Sequence, residues 1–257
     1  MTSTVIEPDS NVSLFVKNIL VFKGDMMDDQ TTVMPFFADG YPGLIFHITA
    51  KGMWAQPQNK KMPTTYLYGQ TIHPVEIHVK GSYDIIAFQL YPFVLNSFFH
   101  VDSRKLNNAC YDLQQLDSWK PFEANLLNEQ DTTKQIHIIQ TYLLSLFNAR
   151  KQHLDLAVRQ GLQLILDHKA QISVTELCEQ VYLTIRTFER RFIKEVGVSA
   201  RDFIQITKFQ QSLEQLTQKR YTKLNDIVFA NGFADQSHFI RVFKAFTGKT
   251  PKRFDQA

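Results

Sequence analysis

Two stretches near the C-terminal end of the chain place basic side chains at helical spacing opposite an apolar face. In the first stretch, Ile185, Phe188 and Phe192 fall on one side of a helix. The other side carries side chains suited to an anionic partner: Arg186, Thr187, Arg190 and Lys194. A single helix of this kind is more often a solvated surface than a binding site, so the pattern matters only if it recurs.

The same pattern does recur later in the chain. Phe239, Phe243 and Phe246 form the apolar face of the second stretch. Two such stretches are more specific than one, because each offers an apolar face to a scaffold and a hydrogen-bonding face to a partner. The hydrogen-bonding face of the second stretch carries Ser237, Arg241 and Lys244.

Their chemistry suits the major groove of duplex DNA, where a helix fits and each base pair shows its own donors and acceptors. An arginine that binds guanine through two hydrogen bonds discriminates by about 1–3 kcal/mol. We predict that Arg186, Arg190 and Arg241 contact bases. Gln236, Ser237 and His238 begin the second stretch and can reach bases or backbone. Phosphate contacts, which supply salt-dependent affinity, are predicted for Lys194, Lys244, Lys249, Lys252 and Arg253.

A short helix and a tight turn precede each basic stretch. Ser173 and Glu176 have the spacing of a capping box, and Thr184 is a candidate cap for the helix that ends before Gly197. Ser199 and Asp202 repeat the capping pattern. The helices predicted to follow are a long one, Ala200–Thr217, a short one, Leu224–Asn231, stopped at Gly232, and Asp235–Thr247, closed by Gly248 with Pro251 beyond it.

These motifs resemble the signature of the AraC/XylS family over about residues 172–254. The first recognition helix of that family is similar to Arg186-Thr187-Phe188-Glu189-Arg190-Arg191-Phe192. The second part of the signature resembles Ile227, Ala230, Gly232-Phe233, Ser237, Phe239, Arg241, Phe243-Lys244, Gly248, Thr250-Pro251 and Phe254. Cys178, in place of the usual alanine, and Tyr182, where some members have glycine, are the departures.

The resemblance implies two helix-turn-helix units at opposite ends of a linking helix, here Ala200–Thr217, which enter successive major grooves of promoter DNA. It assigns DNA contact to Arg186, Glu189 and Arg190 in the first unit. In the second unit it assigns contact to Gln236, Ser237, His238 and Arg241. Glu189 has an equally weighted alternative, a pair with a neighbouring arginine.

The first half of the chain has the composition of β-strands. Five segments are rich in β-branched and aromatic residues and are separated by turn residues: Ser13–Phe22, Gly43–Thr49, Thr64–Tyr68, Val75–Val79 and Ile85–Leu90. Helical periodicity follows in Thr132–Phe147 and Leu154–His168, and the polar stretch Asn148–His153 is the predicted linker. The predicted fold class is α+β multidomain, with a β-barrel or cupin-like domain and linker helices in 1–150 and an all-α domain in 151–257.

A charge difference supports this division. Residues 1–149 carry 10 lysines and arginines against 14 aspartates and glutamates, whereas residues 150–257 carry 18 against 11. A basic half joined to an acidic half is typical of a nucleic-acid-binding domain attached to a domain with another task.

The family resemblance further implies that the β-rich domain senses a small-molecule effector and supports a homodimer. RNA polymerase is the expected partner of such a regulator. Aromatic residues that can line an apolar pocket are Phe46, Trp54, Tyr66, Tyr68 and Phe88, although a plain core role is favoured for them. His47, His73 and His78 lack the His-x-His spacing of metal-binding cupins, so we expect neither a metal nor a cofactor.

The remaining features narrow the class of protein. No apolar run reaches the length of a membrane span and no secretory signal is evident, which predicts a cytoplasmic, nucleoid-associated protein. Cys110 and Cys178 have no metal-type spacing and are interpreted as ordinary buried residues. We expect no enzyme activity. The alternatives are a metal-dependent cupin-like enzyme tethered to DNA, or an N-terminal module that binds a protein and no small ligand.

Overall fold

The computed structural model describes residues 2–256 and divides into a sheet-rich first part and a helical second part. Its strands are β1 (Thr2–Ile6), β2 (Val16–Gly24), β3 (Thr31–Phe36), β4 (Gly43–Thr49), β5 (Gly52–Gln56), β6 (Lys60–Lys61), β7 (Thr65–Tyr68), β8 (Val75–Lys80), β9 (Tyr83–Leu90) and β10 (Cys110–Asp112).

The strands form two antiparallel sheets. A six-stranded sheet has the order β1-β2-β9-β4-β7-β10, and a four-stranded sheet has the order β3-β8-β5-β6. The barrel prediction needs correction, because the strand pairing within residues 2–256 does not close into a ring. Closure requires hydrogen bonds between the edge strands of the two sheets, a long-range feature that strand composition does not encode.

The central strands of the six-stranded sheet, β4 and β9, are buried on both faces. Ile45, Ile85 and Ala87 pack against the four-stranded sheet, whereas Phe46 and Phe88 belong to a core on the other side that includes the helices. Burial on both faces explains the near-continuous apolar sequence of β4. It also removes the alternation that would indicate which residue faces which layer.

The helices are α1 (Val94–Phe99), α2 (Lys120–Asn128), α3 (Thr132–Arg150), α4 (Leu156–Asp167), α5 (Val174–Gln180), α6 (Ile185–Val196), α7 (Ala200–Thr217), α8 (Leu224–Ala230), α9 (Gln236–Thr247) and α10 (Pro251–Asp255). The predicted linker Asn148–His153 is more ordered than expected, because α3 continues to Arg150 and a 3-10 turn occupies Lys151–His153. None of the helices within residues 2–256 has the length and apolar character needed to cross a bilayer.

Local capping signals in the helical part are confirmed. The side chain of Ser173 accepts a hydrogen bond from the backbone N–H of Glu176, and the Glu176 carboxylate accepts one in return. Thr184 caps α6, and Ser199 caps α7. Gly197 and Gly248 end α6 and α9 with φ of 92° and 73°, the left-handed region that glycine adopts without steric cost.

Packing divides the helical part in an unexpected place. Phe188, Phe192 and Phe203 lie in one continuous core with the six-stranded sheet. A separate core begins further along α7 with Ile206 and Phe209 and contains the buried side chains of α8 and α9. The first helix-turn-helix unit (α5 and α6) therefore shares its core with the sheet domain, whereas the second unit (α8 and α9) has a separate core to which the sheet domain adds only Phe37 and Ala38.

Candidate nucleic-acid interface

The first unit presents α6 with its apolar face buried and its basic face open. Phe188 and Phe192 are completely buried, whereas Arg186, Arg190 and Lys194 are exposed. Thr187 is half-buried, and its backbone N–H donates to the Thr184 cap. The three exposed cations have no hydrogen bond or ion pair within the described chain.

Glu189 and Arg191 of α6 have partners within the chain. The Glu189 carboxylate accepts the backbone N–H of Ala200 at 3.0 Å, which ties α6 to the start of α7. The sequence suggested a pair with a neighbouring arginine as the alternative to a base contact, and this internal partner is a backbone group and not an arginine. Arg191 makes two 2.6 Å hydrogen bonds to Asp155, the cap of α4. Burial raises the pKa of Asp155, but the hydrogen bonds from Arg191 and from the backbone N–H of Val158, together with the Arg191 charge, outweigh burial, and the net effect lowers this pKa.

The second unit presents α9 in the same manner. Phe239 and Phe243 are completely buried. Asp235 caps the helix by accepting the backbone N–H of His238 at 2.7 Å, and the His238 ring is half-buried with its centroid 5.6 Å from that of Phe233. The remaining predicted contact residues of this helix are exposed: Gln236, Ser237, Arg241 and Lys244.

Helix α7 separates the two units. Its 18 residues correspond to a length of about 27 Å at the α-helical rise. Near its middle, the Lys208 ammonium donates at 2.8 Å to the carbonyl of Gly232, in the turn of the second unit. Burial lowers the pKa of Lys208. This contact fixes the second turn against the linking helix.

Buried polar contacts attach the first unit to α1. Glu195 of α6 is buried, and its carboxylate accepts hydrogen bonds from Asn96 at 2.8 Å and Ser97 at 3.0 Å. Ser103 donates to the Glu195 carbonyl, and Asn107 donates to the carbonyl of Gly197. Sequence reasoning missed these residues, because only the tertiary fold brings Asn96 to a carboxylate 99 positions away.

The second unit meets the sheet domain at residues 37–42, between β3 and β4. The Phe37 and Phe254 rings pack edge to face with centroids 5.5 Å apart. Ala38 is completely buried in the core of the second unit, and its carbonyl accepts a hydrogen bond from Gln210 of α7. This attachment is mainly apolar, in contrast to that of the first unit.

A cavity of about 170 Å³ lies between the two sheets. Tyr66 and Tyr68 line it, as the aromatic pattern allowed. Phe46 and Phe88 do not, because they belong to the core on the opposite face of the six-stranded sheet. Trp54 lies instead beneath the Lys80 ammonium, 5.3 Å from the ring centroid. Apolar residues that the sequence did not assign to the cavity are Phe36, Ile45, Ala55, Met62, Val75, Ile77, Ala109 and Cys110; its polar rim includes Gln58, Lys60, Thr71 and Asn108.

The histidines are dispersed. His47 is buried with Nε2 2.8 Å from the Pro63 carbonyl, and burial lowers its pKa against that contact. His78 pairs with Glu76 at 3.1 Å. Within residues 2–256, no cluster of three histidine, cysteine or carboxylate side chains is arranged to hold a metal ion. Cys178 is buried and Cys110 is half-buried, and both are free thiols.

Comparison with known proteins gives two family matches. Residues 177–257 match a helix-turn-helix domain of the AraC type, and residues 4–112 match a domain of unknown function, DUF6597. An uncharacterized HTH-type transcriptional regulator of Staphylococcus aureus strain MSSA476 is 32% identical over 83 residues, which are 32% of this chain and 11% of that protein. The counterpart in strain MRSA252 matches to the same extent. The match thus spans about a ninth of the length of these relatives.

Several solved structures are also similar. ToxT from Vibrio cholerae is 13% identical with a TM-score of 0.47, and the match covers 93% of this chain and 97% of ToxT. The structure of ToxT with a bound unsaturated fatty acid is 14% identical with a TM-score of 0.46, covering 92% and 94%. The xylose-binding transcription activator xylR is 26% identical with a TM-score of 0.35, covering 40% of this chain and 27% of that protein.

Proposed function

We propose that this chain is a sequence-specific DNA-binding transcription regulator that responds to a small molecule, because residues 177–257 match a helix-turn-helix domain of the AraC type. The observation that carries the proposal is the pair of recognition helices, α6 and α9, each with buried phenylalanines and an exposed basic face. They flank one linking helix, so a single chain can contact two segments of a duplex. Promoter DNA and RNA polymerase are the expected partners.

Within this proposal, Arg186 and Arg190 of α6 and Arg241 of α9 contact bases. Exposed lysines such as Lys194 and Lys244 meet phosphates, which adds affinity that falls with salt. Glu189 holds α6 in place relative to α7, because its carboxylate accepts a hydrogen bond from the backbone at the start of α7. This assignment separates residues that determine sequence preference from those that set overall affinity.

Selection from randomised duplex DNA at two salt concentrations tests the proposal. We expect a motif in two parts, about one helical turn of DNA apart. Arg186→Ala should blur one part and Arg241→Ala the other, each costing about 1–3 kcal/mol at its base pair. Arg104→Ala is the matched control, because Arg104 is exposed on the sheet domain and pairs with Asp102. Binding that depends on salt but not on sequence would contradict the assignment of α6 and α9.

We propose the cavity between the sheets as the effector site. Its lining is mainly apolar with a few polar groups at the rim, the usual composition of a small-molecule site. A ligand that binds one arrangement of the molecule better than another would shift the population that engages DNA. Thermal-shift screening against apolar metabolites tests this, since a bound compound raises the unfolding temperature with its concentration. A sensor domain of this type commonly accompanies a homodimer, and sedimentation analysis of the full chain tests that expectation.

A further inference from the structure

Residues 37–42, here called the relay segment, connect the cavity wall directly to the second helix-turn-helix unit. Phe36, which precedes the segment, lines the cavity. The next residue, Phe37, packs against Phe254 of α10. Ala38 lies in the core of the second unit and accepts a hydrogen bond from Gln210. Successive residues of the chain thus contact first the cavity, through Phe36, and then the core of the second helix-turn-helix unit, through Phe37 and Ala38.

A second connection reaches the relay segment from another wall of the cavity. Gln70 lies between Gly69 and Thr71, both of which line the cavity. Its side-chain amide is buried and donates at 3.1 Å to the carbonyl of Gly40. A bound molecule that displaces either the wall at Phe36 or the wall at Gly69 and Thr71 would therefore also displace the relay segment.

The relay segment packs too closely against α7 to move independently of it. Gly40 has a φ of 81°, and a Cβ atom placed there would lie 3.2 Å from the ring of Phe203 and 3.5 Å from Ile206. Next to it, the Asp39 carboxylate accepts the backbone N–H of Tyr41 at 3.0 Å and the side chain of Gln89 at 2.9 Å. These bonds hold the segment in one conformation, and close-packed elements of this kind switch between discrete arrangements.

We propose that the relay segment transmits occupancy of the cavity by a small apolar molecule to α7 and thereby repositions the second helix-turn-helix unit relative to the first. The proposal rests on the regulator function and names how its effector site acts. A cavity of about 170 Å³ is comparable to one that accepts benzene, so a ligand with one or two rings or a short aliphatic chain fits the class. The first unit remains in place because Glu195 fixes it to α1.

The test measures the distance between the two units in the full chain. Nitroxide labels are attached to cysteines introduced by Glu179→Cys and Asn225→Cys, two exposed positions outside the predicted DNA faces, after Cys110→Ser and Cys178→Ala. Ala55→Phe fills the cavity and takes the place of a ligand. Val33→Phe is the control, because it adds the same ring to a side chain of the four-stranded sheet that is 48% exposed.

We expect Ala55→Phe to shift the label distance by about 1–2 Å or more, the size of helix shifts in switching proteins, and Val33→Phe to leave it unchanged. The double variant Phe37→Ala, Gln210→Ala should abolish the shift. Asn107→Ala should retain the shift, although Asn107, next to Asn108 of the cavity rim, donates a hydrogen bond to the carbonyl of Gly197 in the first unit. If Ala55→Phe does not fold, Ala55→Leu makes the same test with less added volume.

An unchanged distance in a folded, cavity-filled variant overturns the relay, and so does a shift that survives the double variant. If the chain binds DNA with sequence preference but the distance between the labels does not change, the relay proposal is wrong and the regulator function stands. If the distance changes but the chain binds DNA without sequence preference, the relay proposal is supported and the regulator function is wrong. The two proposals can therefore fail separately.

Discussion

The first and second helix-turn-helix units share their internal spacing but differ in how they join the rest of the molecule. Phe188, Phe192 and Gly197 of the first unit recur at the same spacing as Phe239, Phe243 and Gly248 of the second. The first unit continues the core of the six-stranded sheet and adds buried hydrogen bonds to α1. The second has its own core and meets the sheet domain at the relay segment.

This difference teaches that a repeated motif can have two mechanical roles. A unit whose core continues into the sheets moves with them, whereas a unit with its own core can change position as a body. The boundary in packing falls within α7, between Phe203 and Ile206, and not at the linker near residue 150.

Truncation of equivalent core residues should destabilise different parts of the chain. Phe188→Ala and Phe239→Ala each remove a completely buried ring and should lower the free energy of unfolding by about 3–5 kcal/mol. Hydrogen exchange followed by mass spectrometry should show faster exchange in β4 and β9 for Phe188→Ala only. Equal acceleration in these strands by Phe239→Ala would mean that the two cores unfold together.

Acidity should affect the attachment of the second unit through Asp39. Burial raises the pKa of this carboxyl to about 6, above its ordinary value of 3.8, and hydrogen bonds from Tyr41 and Gln89 only partly oppose the rise. The folded chain therefore binds this proton more tightly than the unfolded chain. Its contribution to stability is complete below about pH 4 and is lost as pH rises through 6, an effect of at most about 3 kcal/mol.

Urea unfolding of Asp39→Asn between pH 4 and pH 7 measures this contribution. The variant should lack the loss of stability that wild type shows as pH rises, so the two curves should diverge toward neutral pH. Asp28→Asn, at a carboxylate whose side chain is 67% exposed, serves as the control. Parallel curves for wild type and Asp39→Asn would show that Asp39 is ionised at little cost.

The polar attachment of the first unit should be weakened by Glu195→Gln. Glutamine keeps the shape but has no charge and only one acceptor oxygen, so the charge-assisted hydrogen bond from Asn96 becomes a neutral one and the Ser97 hydroxyl has to turn and accept from the new amide group. We expect a loss of about 1–2 kcal/mol in the free energy of unfolding. Glu179→Gln, at an exposed position of α5, is the control. A loss no greater than that of the control would show that the buried carboxylate does not hold α6 to α1.

The smallest effect should come from the turns. Tyr182 and Gly232 occupy the turns of the two units with φ of 53° and 64°, a region that disfavours side chains. Tyr182 is 93% exposed, so Tyr182→Gly relieves strain without loss of burial, and the greater entropy of the unfolded chain offsets part of the gain. We expect a change within about 0.5 kcal/mol, against a loss of about 1 kcal/mol for Gly232→Ala. Thermal unfolding compares them, and a large loss in Tyr182→Gly would assign the tyrosine a structural contact.

The sequence was most informative where structure is local. Caps such as Ser173 and Thr184, and the bounds of α7, follow from neighbouring residues and agree with the prediction. The basic faces of α6 and α9 were predictable for the same reason. The burial of Phe188 and Phe192 and the exposure of Arg186 follow from helical periodicity alone.

Long-range features were not accessible in this way. The strands β1, β3, β5, β6 and β10 were not among the predicted segments, and the sheets do not close into a barrel. A core role was favoured for Phe46, Phe88 and Tyr66 alike, but only Phe46 and Phe88 belong to the core on the helix side of the six-stranded sheet, whereas Tyr66 lines the cavity on its opposite face. The bond between Asn96 and Glu195 depends on how α1 meets α6, which no local pattern records.

The division of α7 between two cores also has a consequence for how such chains diversify. Everything beyond Ile206 could be exchanged between genes if the replacement preserved the surface that receives Phe37 and Ala38. The first unit has no such freedom, because its interior side chains complete the interior of the sheet domain. Under the proposed function, recombination should therefore alter half of the DNA-binding surface, while the other half is inherited together with the sheet domain.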